Sequence, residues 1–163
     1  MYTIKNRHVL KKRDAKQLRE DLANIYRIHI PDKSTIEVGE VEGKKVVIID
    51  NSIDFISHSN TYLFLLHNIA KYDPQTKYVT VDMGAIKFIT NGADIMVPGI
   101  VDADPNIKEN DPVWIKDERH GRAIAVGISL MDGNRLKSEQ KGKGIKTVHW
   151  VGDRLWKALS KSL

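Results

Sequence analysis

Residues 79–101 read VTVDMGAIKFITNGADIMVPGIV, and the order of residue types in this stretch decides the fold. Val79 to Val81 is a short β-branched run, the pattern of a strand. Asp82 stands where its carboxylate can accept amide hydrogens left free at the start of a helix, so a short helix is predicted over Ala85 to Asn91. Gly92 follows, and glycine most readily adopts the left-handed backbone that ends a helix. Ile95–Val97 and Ile100–Val101 then flank Pro98-Gly99, a turn between two short strands. On the short helix, Ala85, Phe88 and Ile89 are predicted to face inward and Lys87 to point to solvent.

On the C-terminal side the pattern continues as short strands: Val113–Ile115, Ala123–Leu130 and Ile145–Trp150, with a closing helix from about Asp153. Many short strands with glycine at the corners predict a small barrel. On the N-terminal side, KYDPQTK (Lys71–Lys77) breaks a helical pattern at Asp73-Pro74, which sets the boundary between domains 1–74 and 75–163. Leu18, Leu22 and Ile25 recur at helical spacing and predict a helix from Lys11 to His29, ended by Pro31. Ile36 and Val38 alternate with polar neighbours, Val46–Ile49 is β-branched, and Glu42-Gly43 lies between them, so a hairpin is predicted. A second helix is predicted from near Asn60, carrying Leu63, Leu66, His67 and Ala70. The fold class is therefore α+β: a small α+β N-terminal domain, then a β pseudobarrel with short helices. The two halves are expected to fold separately and pack together.

The chain of 163 residues is 41% hydrophobic, enough for a packed core. Its longest apolar run, Tyr62–Leu66, falls far short of the ~20 residues of a membrane-spanning helix. The N-terminus is charged and lacks the apolar core of a signal peptide, so a soluble cytoplasmic protein without a membrane partner is expected. The absence of cysteine excludes disulfides, thiol nucleophiles and cysteine zinc sites. The net charge of +5 is unevenly placed. Residues 1–20 carry seven Lys/Arg against two acids (+5) and residues 135–163 eight against two (+6), which leaves −6 for residues 21–134. Basic ends around an acidic middle fit a polyanion-binding surface, and lysines that merely solubilise fit the same counts equally well.

Catalytic motifs are scarce. The six histidines (His8, His29, His58, His67, His120, His149) show no metal-ligand spacing and are read as surface or packing residues. Gly142-Lys143-Gly144 begins like a dinucleotide fingerprint, but Thr147 takes the third glycine's place and a strand, not a helix, follows. A P-loop would need glycine at Lys137, and Ser129 in GISLM lacks the second glycine of a nucleophile elbow. Asp82 and Asp94 are explained more simply by capping and turn formation than as an acid–base pair. The chain is therefore read as a non-enzyme without metal or cofactor. Aromatic residues, at 7%, are too few for a base-stacking sheet, and Trp114, Trp150 and Trp156 are expected in the core.

What remains favours nucleic acid. Gly92, Pro98 and Gly99 lie where a short helix meets a tight turn, and glycines there let a ligand approach the backbone closely. Lys87 is the one cation on the helix, and Lys141, Lys143 and Lys146 alternate with glycines nearby, offering phosphate contacts. Taken alone, Gly92 is a helix stop and Pro98-Gly99 a turn. Taken together, Lys87, Gly92, Pro98, Gly99, Lys143 and Lys146 form the candidate RNA-binding set.

The opening stretch resembles the signature of the PUA domain, named for pseudouridine synthases and archaeosine transglycosylases, at Asp82, Gly84-Ala85, Lys87, Asn91-Gly92-Ala93 and Pro98-Gly99. Asp111 and Val113 resemble the family's G-D-x-V strand start, with Asn110 in place of the usual glycine. Ala125-Val126-Gly127 resembles its central strand, and Gly142, Gly144, Val148-His149 and Asp153-Leu155-Trp156 its closing strand and helix. With a basic amphipathic helix, a hairpin and TYLFLLH (Thr61–His67) before it, the whole is similar to the malignant T-cell-amplified family of translation factors and their archaeal relatives. The lack of cysteine leans toward an archaeal-type member. The resemblance implies binding to structured RNA, tRNA or rRNA, in translation initiation or ribosome recycling. It also implies as partners the small ribosomal subunit and a density-regulated-type translation factor. The alternative is a protein-binding adaptor whose partner makes the RNA contact.

Overall fold

Three two-residue turns shape the N-terminal half. Glu42-Gly43, Asp50-Asn51 and Ser59-Asn60 all have positive φ at both residues, the turn geometry whose twist matches that of paired strands. They join β2 (Ile36–Val41), β3 (Lys44–Ile49), β4 (Ser52–His58) and β5 (Thr61–Phe64) into an antiparallel meander, and β1 (Lys5–Val9) pairs with the free side of β2. The helix α1 (Lys12–Tyr26) contributes Leu18, Leu22 and Tyr26 to one apolar cluster with Val46, Ile48, Phe55 and Phe64. The Tyr26 hydroxyl donates to the Tyr62 carbonyl at 2.6 Å. These features belong to a computed structural model describing residues 2–161; the outer limits of the two expected domains, Met1 and Ser162–Leu163, lie outside the described residues.

Two expectations for this half change. The helix α1 stops at Tyr26 because Arg27 turns left-handed (φ 57°) and returns its amide to the Ala23 carbonyl, before Pro31 can act. The helix expected from Asn60 is instead β5, and only α2 (Ile69–Tyr72) is helical. Leu63, Phe64, Leu65 and Leu66 are all buried. A strand covered on both faces reads as a continuous apolar run, which periodicity cannot tell from a buried helix.

Asp73, left-handed at φ 42°, ends α2. The second sheet follows, built from β6 (Tyr78–Val81), β7 (Ile95–Met96), β8 (Ile100–Ala103), β9 (Pro112–Asp117), β10 (Ala123–Ser129) and β11 (Lys143–Trp150). Its order is β7-β11-β10-β9-β6-β8, antiparallel except for the β6–β9 pair. The strands on either side of Pro98-Gly99 do not pair with each other: β7 joins β11 and β8 joins β6. They are the two opposite edges of the sheet, separated only by a 3₁₀ turn over Val97–Gly99. The sheet must therefore curl on itself, which makes the pseudobarrel.

Short helices decorate it: α3 (Ile86–Ile89), α4 (Gly133–Ser138) and α5 (Arg154–Ser160). Asp82, Asp132 and Asp153 accept the amides of Ala85, Arg135 and Trp156, satisfying donors at three helical starts. On α3, Ile89 is buried as expected, but Phe88 is 59% exposed. Ile89, with the partly buried Ile86 beside it, takes the inward side of this four-residue helix and leaves Phe88 outside.

The halves share a core. Trp114, Val126, Val148, Leu155 and Leu159 belong to the apolar cluster of the first sheet, while Val79, Val81, Ile95, Val113 and Ile145 form a second cluster inside the curled sheet. The fully buried His149 bridges the seam: its Nδ1–H donates to Asp153 Oδ2 at 2.8 Å and its Nε2 accepts the Leu66 amide at 3.3 Å. Trp150 and Trp156 are only half-buried, unlike Trp114.

Candidate nucleic-acid interface

A groove of about 730 Å³ opens between α3 and the 97–99 turn, lined by Asp82, Gly84, Ala85, Phe88, Ala93, Asp94, Met96, Pro98, Gly99 and Lys143 among others. Asp82 builds it from both sides. Its carboxylate caps Ala85, and its amide donates to the Gly99 carbonyl at 2.9 Å, drawing the turn against the start of the helix. Gly99 makes the approach possible, because a Cβ there would stand 3.2 Å from the Ala85 Cβ. Where Gly84, Ala85, Ala93 and Gly99 line it, the wall is backbone and small side chains, which a polymer can reach closely.

The charged rim is organised by Asp94. Its Oδ2 lies 2.9 Å from Lys143 Nζ and 3.7 Å from Lys146 Nζ, and its Oδ1 accepts the Thr147 amide at 2.9 Å. Burial pushes the Asp94 carboxyl up, but the Lys143 contact, the Thr147 amide and the nearby Lys146 charge hold it below the usual carboxylate range. Asp94 is thus an ionised anchor for two cations, a role that capping and turn formation do not describe.

Large apolar side chains stand beside those cations: Phe88 is 59% and Met96 50% exposed. Lys87 Nζ lies 5.1 Å from the centroid of the Phe88 ring. Of the residues singled out in the sequence, Pro98, Gly99 and Lys143 line this groove. Lys146 reaches its rim through Asp94, and the exposed Lys87 stands just outside it, over Phe88. Gly92 is turned elsewhere, with φ of 87° and its Cα facing the Trp150 ring. Its geometry is that of a helix stop.

Phe88, Met96 and Asp94 are among the groove residues outside the candidate set read from the sequence. Met96 had a legible signal, because Ile95 and Met96 alternate inward and outward on a strand. Phe88 had none. Chemically the site offers cations, backbone and exposed apolar surface, which suit binding. Among the described residues no group of three His, Asp or Glu gathers as metal ligands would. Among them, too, no helix is long and apolar enough to cross a membrane.

Comparison with known proteins finds matches for both halves of the chain. Residues 77–151 match the PUA domain family, and residues 6–72 match a domain of unknown function (DUF1947). An uncharacterized protein of Methanocaldococcus jannaschii is 41% identical over 157 residues, covering 94% of this chain and 96% of its own. Translation machinery-associated protein 20 of Saccharomyces cerevisiae is 34% identical over 134 residues, covering 78% of this chain and 74% of its own. The crystal structure of a hypothetical protein from Pyrococcus horikoshii superposes with a TM-score of 0.82 at 32% identity, covering 93% of this chain and 98% of that one. The chain belongs to the family of PUA-domain proteins that includes translation machinery-associated protein 20 and the malignant T-cell-amplified sequence 1 proteins.

Proposed function

We propose that this protein acts in the cytoplasm, binding structured RNA, tRNA or rRNA, during translation initiation or ribosome recycling, without catalysing a reaction. One observation carries the reading: exposed Phe88 and Met96 stand on the same groove as Lys143, with Lys146 at the rim. That arrangement offers apolar contact to an unstacked base and positive charge to its phosphates. Lys87 adds a further cation beside Phe88. The small ribosomal subunit and a density-regulated-type factor are the proposed partners. In the adaptor reading, the same exposed Phe88 and Met96 would meet protein instead.

Filter binding of unfractionated tRNA from low to moderate salt tests the proposal. If about four phosphates are neutralised, log affinity falls with log salt at a slope of roughly −3 to −4. A flat dependence overturns the electrostatic argument. The double variant Lys87→Glu/Lys143→Glu should still unfold cooperatively, at a somewhat lower temperature than the parent because Lys143→Glu sets a second carboxylate beside Asp94, yet bind tRNA markedly more weakly. If it folds normally and binds as tightly as the parent, the surface is wrong and the adaptor reading takes its place.

A further inference from the structure

The tip of the β9–β10 hairpin reads Glu118-Arg119-His120-Gly121-Arg122, and its conformation is fixed from beneath by one side chain. Asp117 is 4% exposed. Its Oδ1 accepts the amides of Arg119 at 3.0 Å and His120 at 2.5 Å, and its Oδ2 accepts that of Arg122 at 3.0 Å. The Asp117 carbonyl also accepts the Gly121 amide at 3.1 Å, and Gly121 supplies the positive φ of 65° that closes the loop. Burial pushes the Asp117 carboxyl up, but the three amides outweigh it and hold it below the usual carboxylate range. An isolated buried carboxylate is costly, and here hydrogen bonds to the loop's own backbone offset that cost.

With the amides turned inward, the side chains of Arg119, His120 and Arg122 are left exposed. Among the described residues, neither arginine makes an ion pair or a side-chain hydrogen bond, whereas Arg7, Arg135 and Arg154 each hold a glutamate. The tip is a rigid mount for two uncommitted guanidinium groups. A guanidinium is planar and forked, matched to the oxygens of a phosphate.

Its position adds the second argument. The Glu118 amide donates to the Val81 carbonyl at 2.9 Å, and Val81 pairs with Asp117 on one side and with Ile100 on the other. The next residue, Asp82, lines the groove and holds Gly99. Gly99 and Glu118 are thus two strand spacings apart, about 10 Å. A polymer lying in the groove arrives at the tip within a few residues of its length.

We infer that the 118–122 tip is a second contact for the RNA backbone, about two strand spacings from the groove, made by Arg119 and by Arg122, which also edges a cleft with Asp73 and Trp114. This rests on the RNA reading of the groove. An acidic protein segment could also meet two arginines, but the short backbone distance to the lysine-rimmed groove favours nucleic acid.

The double variant Arg119→Ala/Arg122→Ala tests it. Because Asp117 bonds only backbone amides of the tip, the variant should melt as the parent does, and thermal unfolding verifies this. Its affinity for unfractionated tRNA is expected to fall by about tenfold or more, with a salt slope shallower by roughly 1.5, the share of two phosphates. If affinity and slope match the parent while Lys87→Glu/Lys143→Glu still weakens binding, the tip contact is overturned and the RNA reading stands. If the parent itself does not bind tRNA, both fall. If the tip variant binds tRNA normally but loses an interaction of the parent with polyglutamate, the tip serves a protein and the inference is overturned.

Discussion

Gly92 lies directly against the indole of Trp150: a β-carbon built on it would stand 2.7 Å from Cζ2, at a φ of 87°. Two independent penalties follow for any other residue there. The left-handed backbone costs about 1–2 kcal/mol for a residue with a Cβ, and the ring must shift besides. Gly92→Val is therefore expected to lower the urea midpoint with an unchanged denaturant slope, while the folded fraction binds RNA as the parent does. Urea unfolding paired with tRNA binding checks both parts, and an unaltered midpoint contradicts the packing.

Phe88 should behave in the opposite way. Its ring is mostly exposed, and exposed substitutions usually change stability by less than ~0.5 kcal/mol. Base stacking on an aromatic ring is worth about 1–3 kcal/mol. Phe88→Ala is thus expected to melt with the parent and lose roughly 5- to 150-fold in tRNA affinity, which Phe88→Tyr should restore. Equal affinity for the alanine variant would remove base stacking from the site.

The seam should be acid-sensitive. Burial pushes the Asp153 carboxyl up, but His149 and the amides of Trp156 and Trp150 outweigh it, so its pKa lies below the ordinary 3.8. A folded-state pKa below the unfolded one contributes stability that is present above pH ~3.8 and lost as pH falls through the folded value. Asp153→Asn is expected to lower stability at pH 7 and to flatten the loss between pH 4 and 2. Urea midpoints measured across that range decide it. A variant as acid-sensitive as the parent would mean that other carboxylates dominate.

We propose that residues 75–161 still fold when cut from the rest. The fragment uncovers Trp114, Val126, Val148, Leu155 and Leu159, which pack with the first sheet. Each such side chain is worth about 1.5–3 kcal/mol when fully buried. The fragment is expected to melt cooperatively, well below the full chain, and to self-associate with rising concentration. Calorimetry and sedimentation test this, and a broad, non-cooperative melt would make the two sheets one folding unit.

Legibility in the sequence followed how local the physics was. The Asp82 cap, the Gly92 stop and the Glu42-Gly43 hairpin each satisfy a backbone requirement within a few residues, so the residue types announce them. The Asp50-Asn51 and Ser59-Asn60 turns meet the same requirement without glycine, and β4 and β5 were missed with them. Exposure of Phe88 depends on which of four helical positions the sheet beneath accepts, a tertiary matter. The Asp94–Lys143 pair joins residues far apart in sequence through the β7–β11 register. Nothing local to either residue encodes it.

Asp94 also bears on kinetics. Lys143 and Lys146 are already gathered on one carboxylate, so the entropy of collecting two long side chains is lost before any ligand arrives. An incoming phosphate must displace an anion tethered to the chain, one that cannot diffuse away as a condensed counterion does. When the phosphate leaves, that carboxylate is at hand to recapture both ammonium groups. On the proposed RNA reading the groove carries its own competitor, and the expected consequence is a short residence time and rapid exchange.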